Sequence, residues 1–297
     1  AGRIAKLMKE LNFKPQKTGL IVNRVPDGKL DAGTLEEIRN QGLELLGVVP
    51  HDDQVYQYDC DGKPIIQLPK DSPVRSALEG ICKRKFRGFV SWRIESMKIT
   101  VCGKGGCGKS TVSALLAKEF ERMGKTVLVA DSDESNYGLH RQLGVKLPRD
   151  FTEYFGGKEK AFKTMMAGEI LDTVKLSAFA KKFYSEPFTL NEIPEEYISR
   201  NNGVMLISSG KIRQSNEGCA CTMNSILKQF IKHLTVGENE VVLLDMEAGV
   251  EHFGRGVDNS VDLILMIVDP SFESLKLTQK NPTARGQHWE NCIFCVK

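Results

Sequence analysis

Gly103-Lys104-Gly105-Gly106-Cys107-Gly108-Lys109-Ser110-Thr111 is the stretch whose reading decides the fold. It satisfies the spacing G-x-x-x-x-G-K-[ST] of a loop that wraps phosphate. Ile99 and Val101 in the apolar lead-in predict a strand before it. Behind it, Val112, Leu115, Leu116, Phe120 and Met123 fall on one stripe and predict a helix. A strand, a glycine loop and a helix N-terminus in that order converge backbone N–H groups and the positive helix end on one anion. Gly103, Gly105, Gly106 and Gly108 permit a close backbone approach that a Cβ would block. In such a loop Lys109 reaches the β- and γ-phosphates of ATP, or the terminal phosphate of ADP. Ser110 ligates Mg²⁺ and Thr111 completes the motif.

The rest of the composition sets bounds. The chain has 297 residues, 41% of them hydrophobic and 27% charged, ordinary for a soluble globular protein. That length allows one large α/β domain or two smaller ones. A net charge of +3 is too small to point to nucleic acid, and Lys83-Arg84-Lys85 is the one concentrated basic run. No apolar run approaches the roughly 20 residues of a membrane span. Leu263 to Val268 is short and reads as a buried parallel strand. Eight cysteines show no disulfide-framework spacing, and no signal peptide opens the chain. The reading is a cytoplasmic protein with thiols reduced or metal-bound, and with neither a membrane nor a nucleic-acid partner.

Taken in order, the pattern predicts a helix over 1–13, a strand over 18–25, a helix over 34–41 capped by Asp31 or Thr34, and a strand over 43–49. Residues 53–71 read as loop, and Ser72-Pro73 opens a helix to about Phe86. Residues 87–96 show no period and read as a linker, after which Met97 begins a new strand. Gly124 ends the helix after the phosphate loop. Further strands are expected over 126–130, 203–209, 241–244 and 263–268, with a helix over about 223–234. Residues 134–200 read as helical and irregular, and the helix from Ser271 breaks at Asn281-Pro282. About seven strands alternating with helices predict an α/β fold, a doubly wound, mostly parallel sheet with flanking helices. Asp245, after four apolar residues, stands at a strand's C-terminal end as an acid for the Mg²⁺ shell.

Lys104 directly follows the first glycine, giving G-K-G-G-x-G-K-[ST]. This resembles the deviant Walker A loop of the P-loop ATPases that include MinD, partition proteins, Mrp and nitrogenase reductase. The resemblance implies a homodimer formed around ATP, with Lys104 crossing to the partner's nucleotide, and hydrolysis to ADP and phosphate. Asp131-Ser132-Asp133, Leu244 to Gly249 and Val268-Asp269-Pro270-Ser271 resemble the family's successive nucleotide-contact segments. Asp131 would then support the loop and Asp133 would position the attacking water. Asn23-Arg24 resembles the adenine-reading segment, and Gly47-Val48-Val49-Pro50 the strand end that closes the base pocket. In the family those two follow the switch regions; here they precede the phosphate loop. Residues 1–86 therefore read as the distal half of such an ATPase, 87–96 as a linker, 97–280 as the proximal half, and 281–297 as a tail foreign to the fold. A circular permutation, a gene fusion and a frame error all fit that order. One sheet can still assemble, because strand pairing does not require chain order and the linker spans up to roughly 35 Å.

Cys219-Ala220-Cys221 carries the specificity signal. In an extended stretch both thiols share a face. Two thiolates are half of a four-ligand metal site, and a two-fold dimer supplies the other pair. Two small buried cysteines, or a redox pair, remain open alternatives. The surroundings, Gly210-Lys211, Glu217 to Cys221 and Glu247 to Gly254, resemble the carbon monoxide dehydrogenase maturation (nickel-insertion) ATPases. That resemblance implies Zn²⁺ or Ni²⁺ at Cys219 and Cys221 between subunits, a nickel metallochaperone, and nickel-containing carbon monoxide dehydrogenase as client. A MinD/ParA-type positioning ATPase, an iron–sulfur carrier ATPase and a non-functional fusion product are the competing readings. Cys292-x-x-Cys295 belongs to the foreign tail, and Cys102 and Cys107 read as small apolar packing groups.

Overall fold

The computed structural model describes residues 17–86, 96–133, 136–154, 186–211, 227, 229–247 and 261–271. The strands are β1 (Lys17–Val25), β2 (Glu44–Pro50), β3 (Ser96–Gly103), β4 (Thr126–Asp131), β5 (Phe188–Thr189), β6 (Ser199–Asn201), β7 (Val204–Ser208), β8 (Leu234–Thr235), β9 (Glu240–Asp245) and β10 (Leu263–Val268). The helices are α1 (Ala32–Asn40), α2 (Asp53–Cys60), α3 (Pro73–Ile81), α4 (Lys109–Arg122), α5 (Leu139–Gln142) and α6 (Phe151–Tyr154). Eight strands form one sheet in the order β2-β1-β10-β3-β9-β4-β7-β6, parallel except where the short β6 runs against β7. The fold is therefore the doubly wound α/β class, with one more strand in the sheet than the sequence pattern predicts.

The central strands are apolar along their length because both faces are covered. All six side chains of β10 are buried, as are the last five of β9. Alternation sorts them into two layers. Leu20 and Val22 face one layer with Leu128, Ala130, Val242, Leu244, Ile264 and Met266. That layer is closed by Phe151, Phe188 and Phe230, with ring centroids 5.3–5.4 Å apart around Phe230. Ile21 faces the other layer with Val127, Val129, Leu243 and Leu265, beneath α3 and α4.

The two stretches on either side of residues 87–95 meet in this one sheet. β1 pairs in parallel with β10 from Lys17↔Leu263 to Val22↔Val268, and the Lys17 N–H donates to the Asp262 carbonyl at 3.1 Å. On the covering layer Phe86 meets Phe120 edge to face at 5.3 Å. Arg75 Nε on α3 lies 3.5 Å from Glu119 Oε1 on α4, and both side chains are buried. Burial pushes the Glu119 carboxyl up, while Arg75 pulls it back. Arg122 Nη1 also reaches Glu119 Oε1 at 3.1 Å, so Glu119 is shared between two guanidinium groups, while removing Glu119 would leave the buried Arg75 without its carboxylate.

Several expectations need correction. Residues 53–60 form α2 rather than loop. α2 has no fully buried side chain and packs only Val55 and Tyr58 partly against the core, so its apolar period is weak, and its start rests on Asp52 accepting from the Gln54 N–H at 3.0 Å. The cap of α1 is Asp31, which accepts from the Thr34 N–H at 2.8 Å. β5, β6 and β8 were not expected; two or three residues are too few to establish a period. Ser96, assigned to the linker, opens β3. The expected helix over 1–13, most of the linker and the 281–297 tail lie outside the described residues. No described helix is long and apolar enough to cross a membrane.

Candidate functional site

The phosphate loop joins β3 to α4 at the C-terminal edge of the sheet. Gly108, the N-cap of α4, has φ +90°, and a Cβ there would sit 2.4 Å from Asn23 Nδ2. Gly103 has φ +155°, and its Cβ would lie 2.1 Å from the Ile267 carbonyl oxygen. Glycine is thus required at the first and last glycine positions of the loop by backbone angle and contact together. Cys107 and Cys102 are fully buried beneath it, as small apolar groups, and burial pushes the Cys102 thiol up to about 12. Lys104, Gly105 and Gly106 are exposed. Lys109 is buried, with Nζ donating to the Lys104 carbonyl at 3.3 Å.

β1 reaches this loop from the other side. Asn23 Nδ2 donates to the Cys107 carbonyl at 2.9 Å, and Arg24 Nη1 to the Gly106 carbonyl at 2.7 Å. A cavity of about 300 Å³ opens there, lined by Asn23, Arg24, Pro50, Val74, Gly108 and Thr111 among others. The structure therefore brings Asn23 and Pro50 to the phosphate loop, which both precede in the chain. One Nδ2 hydrogen of Asn23 goes to Cys107; the amide's inventory also holds a second Nδ2 hydrogen and the side-chain oxygen.

At the other end of the loop stands an acidic cluster. Asp245 Oδ2 accepts from Ser110 Oγ at 2.7 Å and Oδ1 from Ser113 Oγ at 2.9 Å. Ser113 follows Ser110 by one helical turn on the same face, a signal the sequence carried. Asp133 Oδ1 accepts from the Asn136 N–H at 3.1 Å, and Asp131 Oδ1 from the Asp133 N–H at 3.1 Å. Asn136 Nδ2 donates to Ser110 Oγ at 2.8 Å. Lys211, fully buried, forms an ion pair with Asp131 Oδ2 at 2.6 Å. Ser113 and Asn136 have no role in the sequence reading, and Arg24 and Lys211 enter it only within the Asn23-Arg24 and Gly210-Lys211 resemblances, without a role of their own.

Burial shifts both strand-end acids. It pushes Asp131 up to about 7 although Lys211 pulls the other way. It pushes Asp245 up to about 6 against the hydrogen bonds from Ser110 and Ser113. Oxygen donors with excess negative charge fit a hard divalent cation such as Mg²⁺. Ser110 would hold it directly and Asp245 through its surrounding shell. Both folded-state values exceed that of an unfolded Asp, so the folded chain binds more protons between about pH 4 and 7. Its unfolding free energy should consequently fall as pH rises through that window, by at most about 1.4 kcal/mol per pH unit for each acid. Urea unfolding at pH 5 and 7.5 without nucleotide checks this, and Asp245→Asn should flatten the dependence; an unchanged slope would refute it.

Cys219 and Cys221 lie outside the described residues. Among the described residues no group of three or more His, Cys, Asp or Glu side chains could hold a metal ion.

Residues 98–269 match the family described as the CobQ/CobB/MinD/ParA nucleotide binding domain. β1 and β2 fall outside that match although they complete the same sheet. An uncharacterized ATP-binding protein of Methanocaldococcus jannaschii is 44% identical over 184 residues, 62% of this chain and 71% of that protein. The carbon monoxide dehydrogenase accessory protein CooC of Rhodospirillum rubrum is 30% identical over 184 residues, 61% of this chain and 65% of that one. The light-independent protochlorophyllide reductase iron-sulfur ATP-binding protein of Jannaschia sp. is 25% identical over 210 residues, 69% of this chain and 59% of that one. The chain thus spans less than two thirds of the length of these last two relatives.

Proposed function

The chain belongs to the CobQ/CobB/MinD/ParA nucleotide-binding family, and from that premise we propose that it is a Mg-ATP-dependent, dimerising ATPase serving as a nickel metallochaperone. The observation that carries the ATPase part is the convergence of buried Lys109, Ser110 paired to Asp245, and the Asn23–Pro50 cavity on one glycine loop. Residues 1–86 act in this reading as the distal half of the fold, contributing the base pocket. The Asn23 oxygen accepts from the exocyclic amine of adenine. Lys109 holds the β- and γ-phosphates, and Asp133 orients the attacking water, with Asp131 supporting its loop. Mg²⁺ supplies charge neutralisation on the phosphate oxygens.

The metallochaperone part rests on Cys219-Ala220-Cys221 together with the similarity to CooC. Two thiolates per chain, doubled by a two-fold axis, give a four-thiolate site between subunits. Carbon monoxide dehydrogenase is then the client. Metal analysis of the purified chain, taken with its mass in solution, tests this. One Zn²⁺ or Ni²⁺ per dimer is expected, released on acidification as the thiolates protonate and absent after Cys219→Ser with Cys221→Ser. One metal per monomer, or a double variant that keeps its metal, would overturn the shared site. Iron with inorganic sulfide would favour the iron–sulfur carrier reading that the protochlorophyllide reductase relative supports.

A further inference from the structure

Lys211 stands just past the C-terminal end of β7, after Gly210. Its side chain is wholly buried. Three acceptors surround its ammonium group: Asp131 Oδ2 at 2.6 Å, and the carbonyl oxygens of Asp133 and Asn136, each at 2.5 Å. An ammonium group has three hydrogens to offer, and these acceptors match that number. Two of them are backbone carbonyls of the segment that follows β4, and the third is the carboxylate that ends β4.

From there the contacts run to the phosphate loop. Asn136, held by its carbonyl, donates through its side chain to Ser110 Oγ at 2.8 Å. Ser110 Oγ in turn donates to Asp245 at 2.7 Å. Asp133, also held by its carbonyl, donates its N–H to Asp131 Oδ1 at 3.1 Å. Burying an ammonium is costly, and apolar side chains of similar volume often serve stability as well or better. A lysine here is better accounted for by what it fixes than by what it stabilises.

We infer that Lys211 is a positioning residue for ATP hydrolysis, holding Asp133 and Asn136 in register with Ser110 and Asp245. It acts through those residues and is not among those that line the cavity. The inference rests on the ATPase reading above. Its consequence is specific: loss of Lys211 lowers turnover while the phosphate loop, fixed independently by Asn23 and Arg24, keeps its affinity.

The test uses the full chain and two variants, Lys211→Met and Lys211→Gln. Steady-state hydrolysis is measured over a range of Mg-ATP, with fluorescent ADP binding and thermal melting alongside. For Lys211→Met, ADP affinity and KM are expected within about threefold of the parent. Its kcat should fall about 100-fold, the scale of a misplaced catalytic group. Lys211→Gln, whose amide still donates to a carbonyl, should turn over faster than Lys211→Met. An unchanged kcat in a folded variant overturns the inference, as does equal loss of affinity and turnover. Should Lys211→Met not fold, the kcat and KM of Lys211→Gln decide by the same criteria. A parent chain that binds ADP without hydrolysing ATP overturns the ATPase reading itself, and the two failures are told apart because the parent is measured alongside.

Discussion

Lys109→Ala should lose measurable Mg-ATP binding while keeping its fold. Lys109 is buried at the start of α4 and its Nζ donates to the Lys104 carbonyl at 3.3 Å, so the side chain lies against the loop it would serve. Bound phosphate would offer that ammonium a far stronger partner than a neutral carbonyl. Truncating one member of a buried charge pair costs about 2–5 kcal/mol, or roughly 30- to 3,000-fold in Kd. The loop itself should survive. The Lys104 carbonyl also accepts from the Cys107 N–H at 3.3 Å, and Asn23 and Arg24 hold the Cys107 and Gly106 carbonyls. Titration with a fluorescent ATP analogue, together with thermal melting, separates the two effects. A Kd within tenfold of the parent's would show that Lys109 does not serve the phosphates.

The residues that were legible in sequence share one property: their reason for being where they are is local. The phosphate loop declares itself because close backbone approach needs glycine, and Gly103 and Gly108 meet neighbours no Cβ could clear. β10 declares itself because six consecutive buried apolar residues suit a strand covered on both faces. Asp245 is legible as the polar end of such a run. The residues missed depend on partners far away in the chain. Lys211 enters the sequence reading only through the Gly210-Lys211 resemblance, with no role of its own, and only the fold turns it inward onto Asp131. Arg24 belongs in sequence to the Asn23-Arg24 segment, but its bond to the Gly106 carbonyl exists only once β1 is laid beside β10. α2 escapes the pattern for the opposite reason: only Val55 and Tyr58 pack partly against the core, too few to set a clear period. Asn23 is legible in sequence, but its bond to the Cys107 carbonyl, which ties it to the phosphate loop, is seen only in the fold.

Lys104→Ala should reduce hydrolysis to background while leaving ADP affinity within about threefold of the parent. Lys104 is exposed at the tip of the phosphate loop, in contrast to Lys109. Its backbone carbonyl is tied into the loop, and alanine keeps that bond. An exposed ammonium is screened by water and contributes little to the site of its own protomer. In a dimer formed face to face over two nucleotides the same group would be dehydrated and would meet the partner's phosphates, where its charge counts fully. A cation supplied in trans is worth about 10³–10⁵ in turnover in other phosphoryl-transfer enzymes, so a fall of at least about 100-fold is expected. Mass measurement should show that ATP no longer drives dimerisation. A mixture sharpens the test. Lys104→Ala retains its nucleotide but lacks the donated cation; Lys109→Ala retains Lys104 but binds no ATP. Each is inactive alone, and together they should regain part of the parent's activity, because a mixed dimer has one site with both lysines. A Lys104→Ala chain that hydrolyses ATP at the parent's rate, or a mixture that stays inactive while mixed dimers form, would mean that Lys104 does not act across the interface.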